Sequence, residues 1–233
     1  MVARGVLGVE IPLEDVPEAQ QRIIDGALTR GKIVIVATQM LESMTLQPRP
    51  TRAEVSDVSG SIRHGATAVM LSGETSVGKY PVEVIQTMSN ILISVEGSSL
   101  IQVPQEAPTI RTKRFITKSI CFHAAHIAND IEAKAICTLT NSGYTAFQIS
   151  SWRPSAHVLV FTSNTRILNR LNLLWGVKTF YYNNLNSTDK TVEEINELAL
   201  KQGYVEREDM VVNLTAMPIQ TKGMVNTLRV STI

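Results

Sequence analysis

The chain has 233 residues, 44% of them hydrophobic, which is enough apolar material for one large domain or two domains of ordinary size. Its 22 basic and 21 acidic residues give a formal net charge of +1, so overall charge does not draw the protein to nucleic acid or to an anionic membrane surface. Neither a signal peptide pattern nor an apolar segment near the roughly 20 residues of a membrane-spanning helix is present, and we therefore expect a cytoplasmic protein without nucleic acid or membrane partners.

Short apolar segments alternate with amphipathic helices over residues 1–97. We predict strands at 1–2, 33–37 and 66–71, a turn at 3–8, and helices at 14–30, 51–64 and 82–95. Thr51 and Glu54 have the spacing of a capping box at the start of one of these helices. The order of the elements is typical of βα units, in which the strands run parallel.

The segment 33–37 is apolar throughout and rich in β-branched residues, which is typical of a strand buried on both faces. Thr38 and Gln39 end this segment with polar side chains. Because ligands bind at the carboxyl ends of parallel strands, Thr38 is a candidate site residue. The alternative is that the Thr38 hydroxyl caps the turn at residues 40–44, and the spacing alone favours this cap.

Residues 98–112 contain Ser and Pro without sustained periodicity, and we place a linker there, between a first part at 1–97 and a second part at 113–233. In the second part we predict helices at 113–130, 145–151, 164–173 and 192–202, and strands at 135–139, 157–161, 177–182, 210–214 and 227–230. This alternation predicts an α/β domain with a sheet flanked by helices.

Several blocks of the sequence form a recognisable series. They are ARGVLGVEIP (3–12), ATQMLESM (37–44), PRPTRAE (48–54), MLSGET (70–75), TNSGYTA (140–146), WRP (152–154) and NTLRV (226–230). In their order and spacing these blocks resemble those of pyruvate kinases. The resemblance covers the back half of such an enzyme and implies an α/β fold. It places the last three units of an incomplete (β/α)8 TIM barrel at 1–97 and a C-terminal-type α/β sandwich domain, which serves allostery and assembly, at 113–233.

The complete enzymes of this family are glycolytic, allosteric homotetramers that convert phosphoenolpyruvate and ADP to pyruvate and ATP with Mg²⁺ and K⁺ as cofactors. The resemblance implies that the backbone of Ala3, Arg4 and Gly5, together with Thr38, holds the substrate carboxylate. N–H groups at a helix start and a hydroxyl group suit an anion. Thr38 would also lie beside the enol carbon that is protonated, and because an alcohol is a weak acid, we expect it to act through a water relay.

One residue departs from the family pattern. The family has Asp after Ala-Arg-Gly, and this Asp binds the divalent ion, whereas the present chain has Val6, whose hydrocarbon side chain offers no oxygen ligand. The resemblance assigns the second carboxylate, the lysine that supports the enolate, the arginine at the phosphoryl site and the potassium ligands to the front half of the enzyme. We therefore expect this chain alone to bind no metal and to be inactive. A sequence error or a deliberate substitution in an otherwise normal enzyme is the alternative for Val6.

The segment 140–145 matches the T-x-S-G-x-[ST] loop that binds an effector phosphate in the family. The phosphate-binding residues that the match implies are Thr140, Asn141, Ser142, Gly143 and Thr145. A strand that leads into hydroxyl groups and a glycine at a helix start suits a phosphate, and ordinary helix capping is the alternative. The later loop at 218–223 has only Lys222 as a cation, which argues against an effector with two phosphates.

The remaining candidates favour structural roles. His123 and His126 lie one helical turn apart without a third ligand at a suitable spacing, so we expect helix-surface or interface residues rather than a metal site. Cys121 and Cys137 have neither metal-type spacing nor a disulfide framework and are predicted to be buried free thiols. The residues expected to serve subunit contacts and loop bracing, as in the family, are Arg49, Arg52 and Glu54.

Two functions of different classes follow. The first is the C-terminal part of a pyruvate kinase. The second is a non-catalytic regulatory or assembly module that binds a phosphorylated metabolite at residues 140–145. For both we expect a homo-oligomer.

Overall fold

The computed structural model describes residues 1–98, 107–108, 113–184, 187–217 and 224–233. The chain divides into two units, Met1–Val103 and Pro104–Ile233. Most of the predicted linker at 98–112 and the loop at 218–223 with Lys222 lie outside the described residues. Within the described ranges, no helix combines the length and the apolar character that crossing a membrane requires.

The first unit contains three short parallel strands and the helices that follow them. Its elements are β1 (Val2–Ala3), α1 (Arg4–Glu10), a 3-10 helix (Leu13–Asp15), α2 (Val16–Thr29), β2 (Ile35–Ala37), a 3-10 helix (Glu42–Thr45), α3 (Arg52–Arg63), β3 (Ala68–Met70), α4 (Gly73–Ser76) and α5 (Pro81–Glu96). The strand order is β1-β2-β3, and Val36 in the middle strand lies opposite Val2 and Val69. The predicted parallel βα units are therefore confirmed.

The predicted turn at 3–8 is wrong, because α1 begins directly after β1. Two glycines in seven residues give this segment a low intrinsic helix propensity. The helix is supported by a tertiary hydrogen bond, since the Gly5 N–H donates to the Thr38 hydroxyl at 2.9 Å. The predicted strand at 33–37 is also shorter in the structure, because the Val34 N–H donates to the Thr67 hydroxyl at 3.1 Å and strand pairing starts only at Ile35.

The predicted capping box at the start of α3 is confirmed. The Thr51 hydroxyl accepts from the Glu54 N–H at 3.2 Å, and the Glu54 carboxylate accepts from the Thr51 N–H at 2.7 Å. The same carboxylate accepts from the Ser43 N–H at 2.7 Å and from its hydroxyl at 2.5 Å, which connects the 3-10 helix after β2 to α3. Burial by itself would raise the pKa of Glu54, but the hydrogen bonds from Ser43 and Thr51 outweigh it and lower the pKa.

Replacing Glu54 with Gln should destabilise the protein by roughly 1–2 kcal/mol at pH 7, because charge-assisted bonds to Ser43 and Thr51 are weakened. Since the folded-state pKa lies below the usual value, the stabilisation is fully present above the unfolded-state pKa and is lost as the pH falls through the folded-state pKa. Urea unfolding of wild type and Glu54→Gln at pH 7 and at pH values below 4 measures this effect. The exposed Glu83→Gln variant serves as the control, and a difference for Glu54→Gln that stays constant with pH would contradict the prediction.

The second unit is a five-stranded sheet flanked by helices. Its elements are α6 (Phe115–Asp130), β4 (Ala135–Leu139), α7 (Tyr144–Ser151), β5 (His157–Thr162), α8 (Thr165–Leu171), β6 (Val177–Tyr181), α9 (Thr188–Lys201), β7 (Met210–Thr215) and β8 (Thr227–Thr232). The strand order is β6-β5-β4-β7-β8, and only β8 runs antiparallel to its neighbour. The predicted α/β architecture is confirmed.

The sheet of the second unit buries an apolar core beneath α9. Ile195 and Ala199 of this helix pack on Cys137, Leu159 and Phe161 of the sheet. Helix α9 begins four residues earlier than predicted, because the Ser187 hydroxyl caps it by accepting from the Lys190 N–H at 3.5 Å.

Both cysteines are buried free thiols, as predicted. Burial raises the pKa of Cys121 and of Cys137 to about 12, so neither is ionised near neutral pH. A thiol in this state is a poor nucleophile, which agrees with a structural role for both residues.

Candidate functional site

The carboxyl ends of β1, β2 and β3 lie at one edge of the first sheet because the three strands run parallel. The chain leaves β1 at Arg4, β2 at Thr38 and β3 at Leu71. The candidate substrate residues Ala3, Arg4, Gly5 and Thr38 are therefore brought together, although more than 30 positions separate the first three from the fourth.

The Thr38 hydroxyl links the end of β2 to the start of α1. It donates to the Ala37 carbonyl at 2.6 Å and accepts from the Gly5 N–H at 2.9 Å. Ala3 occupies the N-cap position of α1 and has no side-chain acceptor, so Thr38 supplies the acceptor from the neighbouring strand. The predicted cap of the turn at 40–44 is wrong, because the 3-10 helix there has Leu41 at its N-cap and no side-chain cap.

The turn that carries the Thr38 hydroxyl has an unfavourable backbone conformation. The φ angles of Thr38 and Gln39 are 69° and 54°. Both lie in the left-handed region, which residues other than glycine seldom adopt and which is least favourable for a β-branched residue such as Thr38. Such a conformation costs on the order of 1–3 kcal/mol per residue and persists only where its surroundings impose it.

The Arg4 side chain holds this turn. Its Nη2 donates to the Thr38 and Gln39 carbonyls, both at 2.9 Å, and its Nε donates to the Thr38 carbonyl at 3.3 Å. Its Nη1 contacts both carboxylate oxygens of Asp57 on α3 at 2.6 Å. The Arg4 guanidinium is therefore committed to the protein, and only the backbone of Arg4 is placed to contact a ligand. Asp57 could not be identified from the sequence pattern, because it lies 53 positions from Arg4 and belongs to none of the recognised blocks.

A second carboxylate that the sequence analysis did not assign connects the loops after β2 and β3. Glu74 is only 1% exposed, and it accepts from the Ser72 N–H at 2.7 Å and from the Leu41 N–H at 3.3 Å. The MLSGET block contains this residue, so an acidic side chain at a strand exit was the available signal. Its two hydrogen bonds keep the two loops at a fixed separation.

The position that binds a divalent ion in the resembling enzymes does not fit a metal in this chain. Val6 is 64% exposed and carries only hydrocarbon. Among the residues that the structure describes, no group of three or more His, Cys, Asp or Glu is placed to hold a metal ion. His126 instead contacts the Phe122 carbonyl through Nδ1 at 2.9 Å, and His123 is exposed.

The second candidate site is the loop between β4 and α7, residues 140–143. The Thr140 hydroxyl accepts from the Gly143 N–H at 3.0 Å, and the Ser142 hydroxyl accepts from the Tyr144 N–H at 3.4 Å. Gly143 has a φ of 79°, and a Cβ at this position would lie 2.8 Å from Cδ2 of the buried Leu171. Glycine is therefore required at this turn.

The position of this loop in the sheet favours a ligand. Strand β4 is central, with β5 on one side and β7 on the other, so the chain order reverses at β4. Ligands of open α/β sheets bind at such a switch point, outside the carboxyl ends of the strands. Thr145 is buried in α7, and the Asn141 carbonyl accepts from Asn164 Nδ2 at 3.0 Å, so the loop is held by its neighbours.

Arg114 is a cation near this loop that the sequence pattern did not reveal. Its guanidinium carbon lies 4.4 Å from the ring centroid of Tyr144.

Each of the two units matches a protein-family model. Residues 1–85 match the family model "Pyruvate kinase, barrel domain", and residues 118–231 match "Pyruvate kinase, alpha/beta domain". This chain belongs to the pyruvate kinase family.

Curated pyruvate kinases support the assignment along the whole chain. The chain is 42% identical over 233 residues to a pyruvate kinase of Geobacillus stearothermophilus, covering 100% of this chain and 40% of that protein. It is 42% identical over 233 residues to one from Mycobacterium intracellulare, covering 100% of this chain and 48% of the relative. It is 43% identical over 230 residues to a pyruvate kinase of Bacillus licheniformis, and the match covers 99% of this chain and 39% of the relative. The chain thus spans less than half the length of these pyruvate kinases.

Replacing Gly143 with Ala should destabilise the second unit by about 2 kcal/mol, because the substitution adds both left-handed strain and a close contact with Leu171. Gly203→Ala is the matched control, since Gly203 has a similar φ of 74° and a Cβ there would meet nothing within 4 Å. Urea unfolding followed by circular dichroism should show that Gly143→Ala costs more than Gly203→Ala. Equal costs would mean that Leu171 does not restrict this position.

Proposed function

We propose that this chain is the C-terminal part of a pyruvate kinase, the glycolytic phosphotransferase that converts phosphoenolpyruvate and ADP to pyruvate and ATP. The observation that supports this most is the 2.9 Å contact between the Gly5 N–H and the Thr38 hydroxyl, which joins the two parts of the substrate site that the family resemblance implies. The family membership of both units supports the same conclusion.

In this proposal the substrate carboxylate binds the backbone of Ala3, Arg4 and Gly5 at the start of α1. N–H groups at a helix start suit a carboxylate because they are donors without intrahelical partners. The carboxylate shares the Gly5 N–H with the Thr38 hydroxyl, and this hydroxyl donates to the carboxylate instead of to the Ala37 carbonyl. The Arg4 side chain takes no part in binding, because it is engaged by Asp57 and by the turn at Thr38.

Thr38 is the proposed catalytic residue. Transfer of the phosphoryl group to ADP leaves the enolate of pyruvate, whose methylene carbon must receive a proton. A hydroxyl group is too weak an acid to donate this proton alone, so Thr38 relays it from water. The left-handed turn at Thr38 and Gln39 directs the hydroxyl towards α1, where the substrate is expected.

The complete enzymes of the family use Mg²⁺ and K⁺, and their divalent ion neutralises charge on the substrate. The Val6 side chain supplies no oxygen ligand, so the donor set of the described residues does not fit such an ion. The roles proposed for Thr38 and for the start of α1 are therefore limited to substrate binding and proton relay.

The purified chain should show no pyruvate kinase activity, because phosphoryl transfer depends on metal ions and neither Val6 nor the other described residues form a set of ligands for one. A lactate dehydrogenase-coupled assay with phosphoenolpyruvate, ADP, Mg²⁺ and K⁺ measures this, with a complete pyruvate kinase as the positive control. The Val6→Asp variant should be inactive as well, since one carboxylate does not complete the set. Magnesium-dependent turnover by the wild-type chain would refute the prediction.

A second candidate function is a non-catalytic regulatory or assembly module that binds a phosphorylated metabolite. The position of the loop 140–143 at the switch point of the second sheet favours it. The proposed ligands are the hydroxyls of Thr140, Ser142 and Thr145 and the backbone of Asn141 and Gly143.

The Thr140→Ala, Ser142→Ala double variant should bind a sugar monophosphate at least tenfold more weakly than the wild-type chain, a loss of about 1.4 kcal/mol. The two hydroxyls order the loop through Gly143 and Tyr144, and they are also candidate donors to a phosphate. Isothermal titration calorimetry with glucose 6-phosphate measures the affinity, and Thr232→Ala in β8 is the control. Absence of binding by the wild-type chain, or equal affinity for both proteins, would reject this function.

The family also suggests a cytoplasmic homotetramer as the complete assembly. Exposed apolar side chains of Val82, Ile85 and Ile93 on α5 support a helix surface that contacts another part of such an assembly.

A further inference from the structure

Asp57 on α3 is joined to the candidate substrate site through a single side chain. Both of its carboxylate oxygens lie 2.6 Å from Arg4 Nη1. The side chain of Arg4 is 13% exposed, whereas that of Asp57 is 36% exposed, so the guanidinium is the more enclosed partner of this ion pair. Arg4 extends from the end of β1 between α3 and the turn after β2.

The hydrogen-bonding capacity of the Arg4 guanidinium is used within the protein. Nη2 and Nε donate to the carbonyls of Thr38 and Gln39, and within the described part of the chain Nη1 contacts only the Asp57 carboxylate. The Thr38 and Gln39 carbonyls both accept from Nη2, so both point towards this one nitrogen. A planar guanidinium can contact both carbonyls and a carboxylate at once, whereas the ammonium group of a lysine lacks this geometry.

The carboxylate determines where the guanidinium lies. Without the negative charge of Asp57, the contacts of Nη1 weaken, and the side chain of Arg4 gains rotameric freedom. The contacts of Nη2 with the turn then weaken. The turn relaxes from its left-handed conformation, and the Thr38 hydroxyl no longer lies 2.9 Å from the Gly5 nitrogen.

We propose that Asp57 is a positioning residue of the substrate site, which acts through Arg4 to hold the turn at Thr38 and Gln39 so that the Thr38 hydroxyl meets the Gly5 N–H. The role of this hydroxyl in substrate binding rests on the proposed function, but the action of Asp57 on the turn does not. The two statements are therefore tested by separate measurements on the same chain.

The first measurement is amide hydrogen exchange of the whole chain, followed by ¹⁵N–¹H NMR. Asp57→Asn should accelerate exchange at Gly5 at least tenfold and leave Val69 in β3 within twofold of wild type. Asp25→Asn is the matched control, because Asp25 is an exposed residue of α2 whose bond is to Gln21 and not to the turn. If the ion pair only stabilised the fold, Asp57→Asn would accelerate amide exchange at Gly5 and at Val69 together. Such a result, or an unchanged exchange rate at Gly5, would overturn the proposal.

Asp57→Glu tests the same idea with the charge retained. It should keep exchange at Gly5 within threefold of wild type, because the carboxylate can still contact Arg4. If Asp57→Asn fails to fold, the comparison of Asp57→Glu with Arg4→Lys replaces it. Arg4→Lys should accelerate amide exchange at Gly5 tenfold and leave the exchange rate at Val69 unchanged. Equal exchange rates at Gly5 in these two variants would contradict positioning through Arg4.

The second measurement is titration with pyruvate, followed at Gly5 and Thr38 in the same spectra. Asp57→Asn should weaken pyruvate binding about tenfold relative to wild type and to Asp25→Asn. Absence of pyruvate binding by the wild-type chain would reject the proposed substrate site, while the exchange rates at Gly5 would still decide the role of Asp57. Unchanged affinity in Asp57→Asn together with unchanged exchange would reject the positioning role.

Discussion

A hydrogen bond between two neighbouring strand ends, from the Gly5 N–H to the Thr38 hydroxyl, depends on a turn that the backbone does not favour. Thr38 and Gln39 both have positive φ angles, which are costly for residues other than glycine. The contacts of Arg4 with the two carbonyls compensate for this cost. The geometry of the candidate substrate site therefore depends on an ion pair whose acidic partner, Asp57, lies on a helix outside the sheet.

Three carboxylates organise the carboxyl edge of the first sheet, and each of them serves as a hydrogen-bond acceptor. Glu54 accepts from Ser43 and Thr51, Glu74 accepts from Ser72 and Leu41, and Asp57 accepts from Arg4. Backbone N–H groups in loops need such acceptors where strand pairing ends. The loops at this edge are consequently held in place before any ligand arrives, as preorganised binding requires.

The second unit builds its candidate anion loop with local contacts instead. Gly143 adopts a left-handed conformation at little cost, and the acceptors for the N–H groups of Gly143 and Tyr144 are the hydroxyls of Thr140 and Ser142 in the same loop. The fold determines where this loop lies, because the loop follows β4 and β4 is placed between β5 and β7. Leu171 from α8 packs where a Cβ of residue 143 would lie, which makes glycine necessary.

Features that depend on neighbours along the chain could be predicted from local sequence patterns. The strand at residues 135–139, the capping box of Thr51 and Glu54, and the loop at 140–145 were all recognised from local patterns, and so was the family. The other features depend on tertiary packing. It placed a helix at residues 4–10, directed the Thr38 hydroxyl to α1 instead of the next turn, and recruited Asp57 across 53 positions. Local propensity cannot reveal such contacts, because they form only when parallel strands bring distant segments to one edge of a sheet.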